Sequence, residues 1–576
     1  MPNRTRGEVR RSQLITTYGV GAIIAVGDES FMVAGIDRWP ATHPNLHEPR
    51  LERKLGVAGF VIPPASEGGQ DVPVVRFPAT VWCPSCRKID RHRFFTSPDD
   101  NRCRECDAIL IPSRFIVACA NGHIDDFPYF EWVHRGRRGV GDASHRLVIE
   151  TEGSTASLRS IQLRCSCGQS GTMEHAFQKT AMQGITRCKG RRPWLTQDDP
   201  VACGEIPRTL QRGASNVWFS ITHSAISIPP WSEGAHKLLN KHWPVLQHVP
   251  EGALQATLAG MGITVGTPYS VEDLVLAIRQ RREGTQDTEP WSDERLRRQE
   301  YDALVRGKRE VSKDQDFVCE PTASPLRTVS RWFCQVMLVK RLREIRVLES
   351  FSRISPPTLA PGVQFPPIYD ARPNWLPGIE VVGEGVFLQL EAERLRSWEA
   401  EEDVVRRVSN IDRNYRRRFA RLNLPPDRVI TPRLVLIHSL AHALINEWSL
   451  DSGYPAASLR ERLYVSHDMA GLLIYTASSD SAGSLGGVIA QAQPQRLDTS
   501  VRGAILRAAW CSSDPVCIES DAVGVDALNL AACHACSLLP EVSCEERNVL
   551  LDRGLLVGTS ETLRLGYFSE LLEGPQ

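Results

Sequence analysis

The stretch CPSCRKIDRHRFFTSPDDNRCREC, residues 83–106, contains two Cys-x-x-Cys pairs separated by sixteen residues. Two cysteines in one short turn can direct both sulfur atoms at a single tetrahedral ion, and two such turns supply all four ligands. The spacing is typical of a zinc ribbon, whereas a redox role for one pair would leave the other pair unexplained. We therefore predict one structural zinc ion here, bound by Cys83, Cys86, Cys103 and Cys106.

Two further cysteine clusters are less regular. The second consists of Cys165, Cys167, Cys188 and Cys203. Glycines follow two of these cysteines, and a glycine lets the backbone turn so that its amides face the thiolates. We predict a second zinc ion at this cluster, because it supplies the four ligands of a structural site.

The third cluster contains five cysteines, one more than a structural zinc ion usually takes. We select Cys517, Cys533, Cys536 and Cys544 as ligands and leave out Cys511, although the choice between Cys511 and Cys517 stays open. His534 lies between two of these cysteines and is interpreted as a bystander. The sequence thus predicts about three zinc ions, all in closed four-sulfur sites of the structural kind.

The segment CANGHIDD, residues 119–126, offers other donors. Cys119 and His123 could form an extra ligand pair, but a packed turn is the favoured interpretation. Asp125 and Asp126 could hold a metal beside His123, while a capped turn that leads into an aromatic helix explains them equally well.

Composition limits the possible classes of protein. The chain has 576 residues, sixteen cysteines, and 68 basic and 68 acidic side chains. It has no stretch long and apolar enough to span a membrane, and its basic N-terminus lacks the apolar segment of a signal peptide. We therefore expect a cytoplasmic protein whose cysteines bind metal, and any nucleic-acid binding must be local because the net charge is zero.

Apolar patterning predicts an α+β multidomain chain, with a strand-rich N-terminal region, a helical middle and a mixed α/β C-terminal domain. The clearest helical patterns in the middle are VEDLVLAIRQRR and TVSRWFCQVMLVKRLREIRVLESF. The predicted segments are 1–80 (strand-rich), 81–210 (zinc clusters), 211–350 (helical), 351–425 (proline-rich linker and charged helix) and 426–576 (zinc-binding C-terminal domain).

Motifs for nucleotide-driven chemistry are missing from the sequence. No glycine-rich loop ends in Gly-Lys-Ser/Thr, and there is no acidic helicase box. His438 and His442 lie one helical turn apart, but Ser439 stands where a zinc protease needs its glutamate base. A zinc-dependent hydrolase or nuclease that uses these histidines and a carboxylate such as Glu447 is therefore the second hypothesis.

Several motifs resemble those of one protein family. RRSQLITTYGVGAI, ACANGHIDDFPYFEWVH, TASSDSAGSLGG and CHACSLLPEVSCEERNVLLDRGLL are similar to segments of the DrmB family of the bacterial DISARM anti-phage systems. The last 145 or so residues also resemble the zinc-binding domain of unknown function that ends many superfamily-two DNA helicases. The seven-residue gap between Cys536 and Cys544 is longer than in those helicases, which places the fourth ligand in question.

The resemblance implies an accessory, non-catalytic role. A separate DrmA-like helicase subunit would hydrolyse ATP, and this chain would bind it and contribute to DNA binding within the complex. Basic clusters offer local phosphate contacts, and we select Arg416, Arg417 and Arg418 as the nucleic-acid-binding residues. A solvated helix face is the simpler interpretation of any one cluster.

Overall fold

The computed structural model describes most of the chain. The described ranges are 5–40, 43–65, 71–136, 145–151, 157–197, 200–283, 291–322, 329–358, 363–476 and 486–572. The chain divides into two compact units. Unit 1 comprises Met1–Leu46, Gly56–His223 and Arg346–Ile379, and unit 2 comprises His47–Leu55, Ser224–Ile345 and Glu380–Gln576.

The described residues form a mixed α and β protein, as the sequence predicts. The helices are α1 (Gln13–Thr16), α2 (Pro49–Leu55), α3 (Tyr129–Val133), α4 (Gly234–Asn240), α5 (Trp243–Leu246), α6 (Leu254–Met261), α7 (Val271–Glu283), α8 (Asp293–Arg306), α9 (Ala392–Glu399), α10 (Glu402–Arg421), α11 (Pro432–Ser452), α12 (Gly487–Gln491), α13 (Pro494–Ala508) and α14 (Gly554–Val557).

The strands are concentrated in the N-terminal part of the chain. They are β1 (Ile23–Val26), β2 (Glu29–Val33), β3 (Gly59–Val61), β4 (Val74–Arg76), β5 (Thr80–Trp82), β6 (Lys88–Arg91), β7 (Ile111–Pro112), β8 (Phe115–Ala118), β9 (Ile124–Asp126), β10 (Leu147–Thr151), β11 (Ile161–Cys165), β12 (Ser170–Thr172), β13 (Arg208–Gln211), β14 (Phe219–Ile226), β15 (Val318–Pro321), β16 (Phe333–Ser352), β17 (Trp375–Leu390), β18 (Leu459–Val465) and β19 (Ala470–Thr476).

The turns of the short antiparallel sheets in unit 1 carry candidate metal ligands. One sheet has the order β12-β11-β10-β6-β5-β7, another has β13-β8-β9, and a third has β1-β2-β4. Cys83 directly follows β5, Cys119 directly follows β8, and Cys165 is the last residue of β11. These sheets therefore bring residues from distant parts of the sequence to common points.

Helix α11 is the central element of the C-terminal part of unit 2. Thr431 caps it by accepting a hydrogen bond from the Leu434 amide, Pro432 occupies the first turn, and Gly453 ends it in the left-handed conformation. Its apolar residues are buried against α13, β18 and β19. No helix of the described ranges is long and apolar enough to cross a membrane.

One predicted helix is wrong. Residues 333–352 form the long strand β16, within a sheet of order β14-β16-β17-β19-β18. The helical periodicity of the sequence favoured a helix, but in the sheet Arg343, Glu344 and Arg346 are buried, and two of them have the following partners. Arg343 Nε donates to Glu380 Oε2 at 2.6 Å, and Glu344 accepts from the Tyr475 hydroxyl at 3.0 Å.

Other predicted elements are confirmed. The sequence VEDLVLAIRQRR lies in α7, and the charged helix corresponds to α9 and α10. The glycine-rich segment TASSDSAGSLGG, by contrast, falls mostly on residues 477–485, which lie outside the described residues. The division of the chain into these five domains stays a prediction.

A buried ion pair holds α8 against β18 in unit 2. Arg462 donates two hydrogen bonds to Glu300, each 2.7 Å long, and both side chains are at most 1% exposed. Burial alone would raise the pKa of Glu300, but the Arg462 guanidinium lowers it below its ordinary value. The attraction between the two opposite charges therefore offsets the cost of burying each of them.

Arg462→Met is expected to lower the free energy of unfolding by about 3–5 kcal/mol, because it leaves Glu300 buried without its partner. The matched control Arg279→Met removes the exposed partner of Glu251 and should cost less than about 1 kcal/mol. Thermal unfolding of both variants measures the difference. Equal decreases in stability would show that loss of the buried arginine costs no more than loss of the exposed one, which would contradict the prediction.

Candidate metal centres

The zinc-ribbon cysteines meet in unit 1 as two matching turns. The amide of Arg87 donates to the Cys83 carbonyl at 2.8 Å, and the amide of Asp107 donates to the Cys103 carbonyl at 2.8 Å. In each pair, the residue that follows the second cysteine has a positive φ, which is 62° for Arg87 and 53° for Asp107. The two knuckles therefore share one backbone geometry, and their four sulfurs lie within 4.8 Å of one another.

A second group forms at the β8–β9 turn. Cys119 and His123 come from this turn, and their Sγ and Nδ1 atoms are 3.4 Å apart. Cys188 and Cys203 complete the group. Hydrogen bonding from the Cys119 thiol lowers the pKa of Cys188 to about 4. Gly122 turns the chain with φ 79°, a conformation in which any side chain would be strained.

A third group contains two histidines. His134 follows α3, and its Nε2 lies 3.3 Å from Cys167 Sγ, while His145 Nδ1 lies 3.5 Å from Cys165 Sγ. Hydrogen bonds from the Gln169 amide and the His134 ring lower the pKa of Cys167 to about 7. The group is thus a Cys₂His₂ set, a common zinc ligand combination.

The structure divides the predicted second cluster between these two groups. Cys165, Cys167, Cys188 and Cys203 do not converge on one point, because the first two lie at the β11–β12 turn and the last two lie beside the β8–β9 turn. Cys119 and His123, interpreted from sequence as a packed turn, belong with the second pair. His134 and His145 were not among the predicted ligands, because neither lies next to a cysteine in the sequence.

The fourth group lies in unit 2 and consists of Cys511, Cys517, Cys533 and Cys536. The sulfur atoms of Cys511 and Cys533 are 3.5 Å apart, those of Cys517 and Cys536 are 3.8 Å apart, and those of Cys533 and Cys536 are 3.7 Å apart. A tetrahedron with Zn–S bonds of 2.3 Å has edges of roughly 3.8 Å. The four sulfurs therefore already have the spacing that a zinc ion requires.

The structure does not bring all four predicted ligands of the third cluster together. Cys511 lies with Cys517, Cys533 and Cys536, whereas Cys544 lies beside His438, His442 and Glu461. The pairing of Cys511 with the knuckle depends on a turn in which the amide of Ser513 donates to its sulfur at 3.4 Å. Spacing in the sequence could not reveal that turn.

Metal binding explains the thiols better than disulfide formation does. All sixteen cysteines are free, and the shortest sulfur separation in the fourth group, 3.5 Å, far exceeds a disulfide bond of about 2.05 Å. Backbone amides also donate to the sulfurs of Cys188 and Cys511, as they do to bound thiolates. The donor sets of these groups fit zinc, whose ligands are thiolates and imidazoles.

The predicted nucleic-acid residues lie on α10. Arg416 is exposed and pairs with Asp412 at 2.6 Å, whereas Arg418 is largely covered and lies 3.5 Å from Asp526. Arg417 is exposed and has no ion pair among the described residues. The three side chains therefore differ in how much charge they leave available.

The other candidate carboxylates have local roles. Asp126 accepts a hydrogen bond from the Thr80 amide at 2.8 Å, and Asp125 accepts one from the Asp126 amide at 2.9 Å. Glu447 pairs with Arg507 at 2.9 Å. None of these three belongs to a metal group of the described residues.

Comparison with known proteins defines the class of the C-terminal part. Residues 440–537 match the family model MrfA Zn-binding domain, and this range contains all four cysteines of the fourth group. Residues 10–219 match the family model Domain of unknown function (DUF8724), a range that contains the three groups of unit 1. The chain is thus a protein with a zinc-binding domain of the MrfA type.

The family follows from a full-length relative. DISARM protein DrmB of Bacillus paralicheniformis is 30% identical over an alignment of 526 positions, which covers 87% of this chain and 92% of the relative. The chain belongs to the DrmB family of DISARM proteins.

Substitution Cys511→Ser should release one zinc equivalent from the purified chain, because three sulfurs hold zinc far more weakly than four. Cys334→Ser is the control, since Cys334 is exposed and lies outside every metal group of the described residues. Elemental analysis after gel filtration measures the metal content. Zinc content unchanged by Cys511→Ser would exclude this cysteine as a ligand.

Proposed function

We propose that this chain is a non-catalytic, zinc-stabilised accessory subunit of a cytoplasmic anti-phage DISARM complex. It binds a DrmA-like helicase subunit and contributes to DNA binding within the complex. Membership of the DrmB family is the observation that carries this proposal. The closed metal groups and the exposed arginines of α10 support the division between a structural and a binding role.

Zinc serves the fold in this proposal. Each of the four Cys/His groups offers four ligand atoms, so a bound ion has no vacant position for water or substrate. The chain then holds at least four ions, compared with about three expected from sequence. Structural zinc of this kind contributes on the order of 10 kcal/mol to folding.

The non-catalytic role is supported by the surroundings of His438 and His442. Both histidines are completely buried, and substrate has no access to a buried pair. Glu447, the carboxylate of the hydrolase hypothesis, pairs with Arg507 and is not grouped with them. These observations weigh against a zinc hydrolase that uses this trio.

The DNA contact is assigned to the exposed side of α10. Val404, Val408, Ile411, Tyr415 and Phe419 form the buried side of this helix. On the other side, Arg413 and Arg417 lie one turn apart, are exposed, and have no ion pair among the described residues. Arg417 also borders a surface groove with Asn414 and Arg421, whose lining includes Asp526, the partner of Arg418 and Arg421.

Within the predicted set Arg416–Arg418, the charge available to a phosphate differs. Asp412 and Asp526 partly neutralise Arg416 and Arg418. We therefore assign the largest contribution to Arg417, with Arg413 as its neighbour. Contacts of this type are electrostatic, so they depend on salt and little on base sequence.

The double substitution Arg413→Glu, Arg417→Glu is expected to weaken duplex binding by the complex of chain and helicase. Losing two phosphate contacts should reduce the slope of log affinity against log salt by about two. Fluorescence anisotropy over a salt series measures both quantities, and co-purification with the helicase is checked in parallel.

The matched control is Lys241→Glu, Arg306→Glu, which makes the same change in charge at two exposed positions, one directly after α4 and one at the end of α8. It should retain most of the affinity and slope. Unchanged DNA binding by the α10 variant would refute the assignment of this helix. Loss of co-purification would instead place α10 in the helicase interface.

The purified chain alone is expected to hydrolyse neither ATP nor DNA, because it lacks phosphate-loop and acidic-box sequences. Phosphate release and nuclease assays on the wild type test this, with His438→Ala as the comparison. Steady turnover that His438→Ala abolishes would favour the hydrolase hypothesis.

A further inference from the structure

A second polar cluster lies inside the C-terminal part of unit 2. It is separate from the four-cysteine group of this unit, which consists of Cys511, Cys517, Cys533 and Cys536. It brings together His438 and His442 of α11, Glu461 of β18, and Cys544 of a later loop. His438, His442 and Glu461 are at most 1% exposed, and Cys544 is 8% exposed. Four ionisable side chains in such a place require a specific stabilising partner.

The hydrogen bonds of the two imidazoles fix their tautomers. His442 Nδ1 lies 2.8 Å from the Ser537 carbonyl oxygen, and His438 Nδ1 lies 3.3 Å from the Leu550 carbonyl oxygen. A carbonyl oxygen can only accept, so each Nδ1 carries the proton. In the neutral rings each Nε2 then directs a lone pair inward, which is the arrangement of histidines that bind metals.

The inward atoms have the spacing of a coordination shell. His438 Nε2 is 3.2 Å from Cys544 Sγ and 3.2 Å from Glu461 Oε1, and His442 Nε2 is 3.6 Å from Glu461 Oε2. Zinc bonds of about 2.0–2.3 Å produce tetrahedral edges of roughly 3.3–3.8 Å. A single ion at the centre would therefore reach all four side chains.

Without a cation, two of these atoms lack partners. His442 Nε2 and Glu461 Oε2 are buried and accept or donate no hydrogen bond within the described residues. An unsatisfied buried polar group costs about 1–3 kcal/mol, and more when it is charged. Protonation of His438 would supply one hydrogen bond to Glu461, but the 3.6 Å separation is too long for His442 to supply the other.

We propose that His438, His442, Glu461 and Cys544 bind a structural Zn²⁺ ion, separate from the ion of the four-cysteine group. Two nitrogens, one oxygen and one sulfur suit zinc, whereas calcium and magnesium take oxygen ligands. The ion joins α11, β18 and the loop that contains Cys544. The region matched by the zinc-binding family model begins after His438 and ends before Cys544.

The closed coordination gives this ion a structural role. Cys544 also accepts a hydrogen bond from the Asn548 amide at 3.2 Å, and Glu461 accepts one from the Glu545 amide at 3.0 Å. These bonds orient two of the ligands in the way that surrounding groups orient known metal ligands. The site does not depend on DNA or helicase binding, so it stands or falls separately from the proposed function.

Anomalous diffraction from crystals of the full wild-type chain tests the proposal without a variant. Data collected above and below the zinc absorption edge should give a difference peak within bonding distance of these four ligand atoms. The four-cysteine group serves as the internal reference. A peak at that group and none beside His438 would overturn the proposal.

A pair of variants gives a second test in solution. His442→Asn should lower the zinc content by one equivalent, and His534→Asn is the matched control because His534 is exposed and outside every metal group of the described residues. Zinc is counted by native mass spectrometry of folded protein. If His442→Asn does not fold, the diffraction result decides, and a folded variant with full zinc content would contradict the proposal.

Discussion

The structure depends on groups of four electron-pair donors that converge on single points. Thiolates and imidazole nitrogens in such a group repel one another unless a cation lies between them, and zinc changes that cost into a favourable term on the order of 10 kcal/mol. A hydrogen bond contributes only about 1 kcal/mol. In unit 1 the sheets are short, and the turns after β5, β8 and β11 carry ligands of these groups, from which we infer that bound zinc orders these turns.

The metal groups and the binding surface have different physical requirements. Zinc groups need burial, fixed turns and complete coordination, and these features remove them from contact with substrates. A surface for nucleic acid needs exposed charge that is not taken up by ion pairs, and Arg413 and Arg417 on α10 are exposed and have no ion pair among the described residues. A chain with equal numbers of acidic and basic residues can therefore still offer a local contact to a polyanion. In the proposed complex, catalytic motion belongs to the helicase subunit.

Sequence predicted local features well and long-range groupings poorly. The ribbon around Cys83 was readable because all its ligands lie within 24 residues. Cys165 and Cys188 looked like one cluster, yet sheet pairing separates them and brings His134 to Cys167. Residues 333–352 had a helical pattern, but paired charges such as Arg343 with Glu380 allow a strand there. The partners of Cys544 are up to 106 residues away, and only the fold of α11 and β18 reveals them.

The central claim is that zinc orders the turns of unit 1. Amide hydrogen exchange on the full chain, before and after zinc removal by a chelator, measures this order directly. The amides of Arg87 and Asp107, which donate within the two ribbon knuckles at 2.8 Å, should be protected with zinc bound and should exchange rapidly once it is removed. Protection that stays unchanged in the zinc-free chain would contradict the claim.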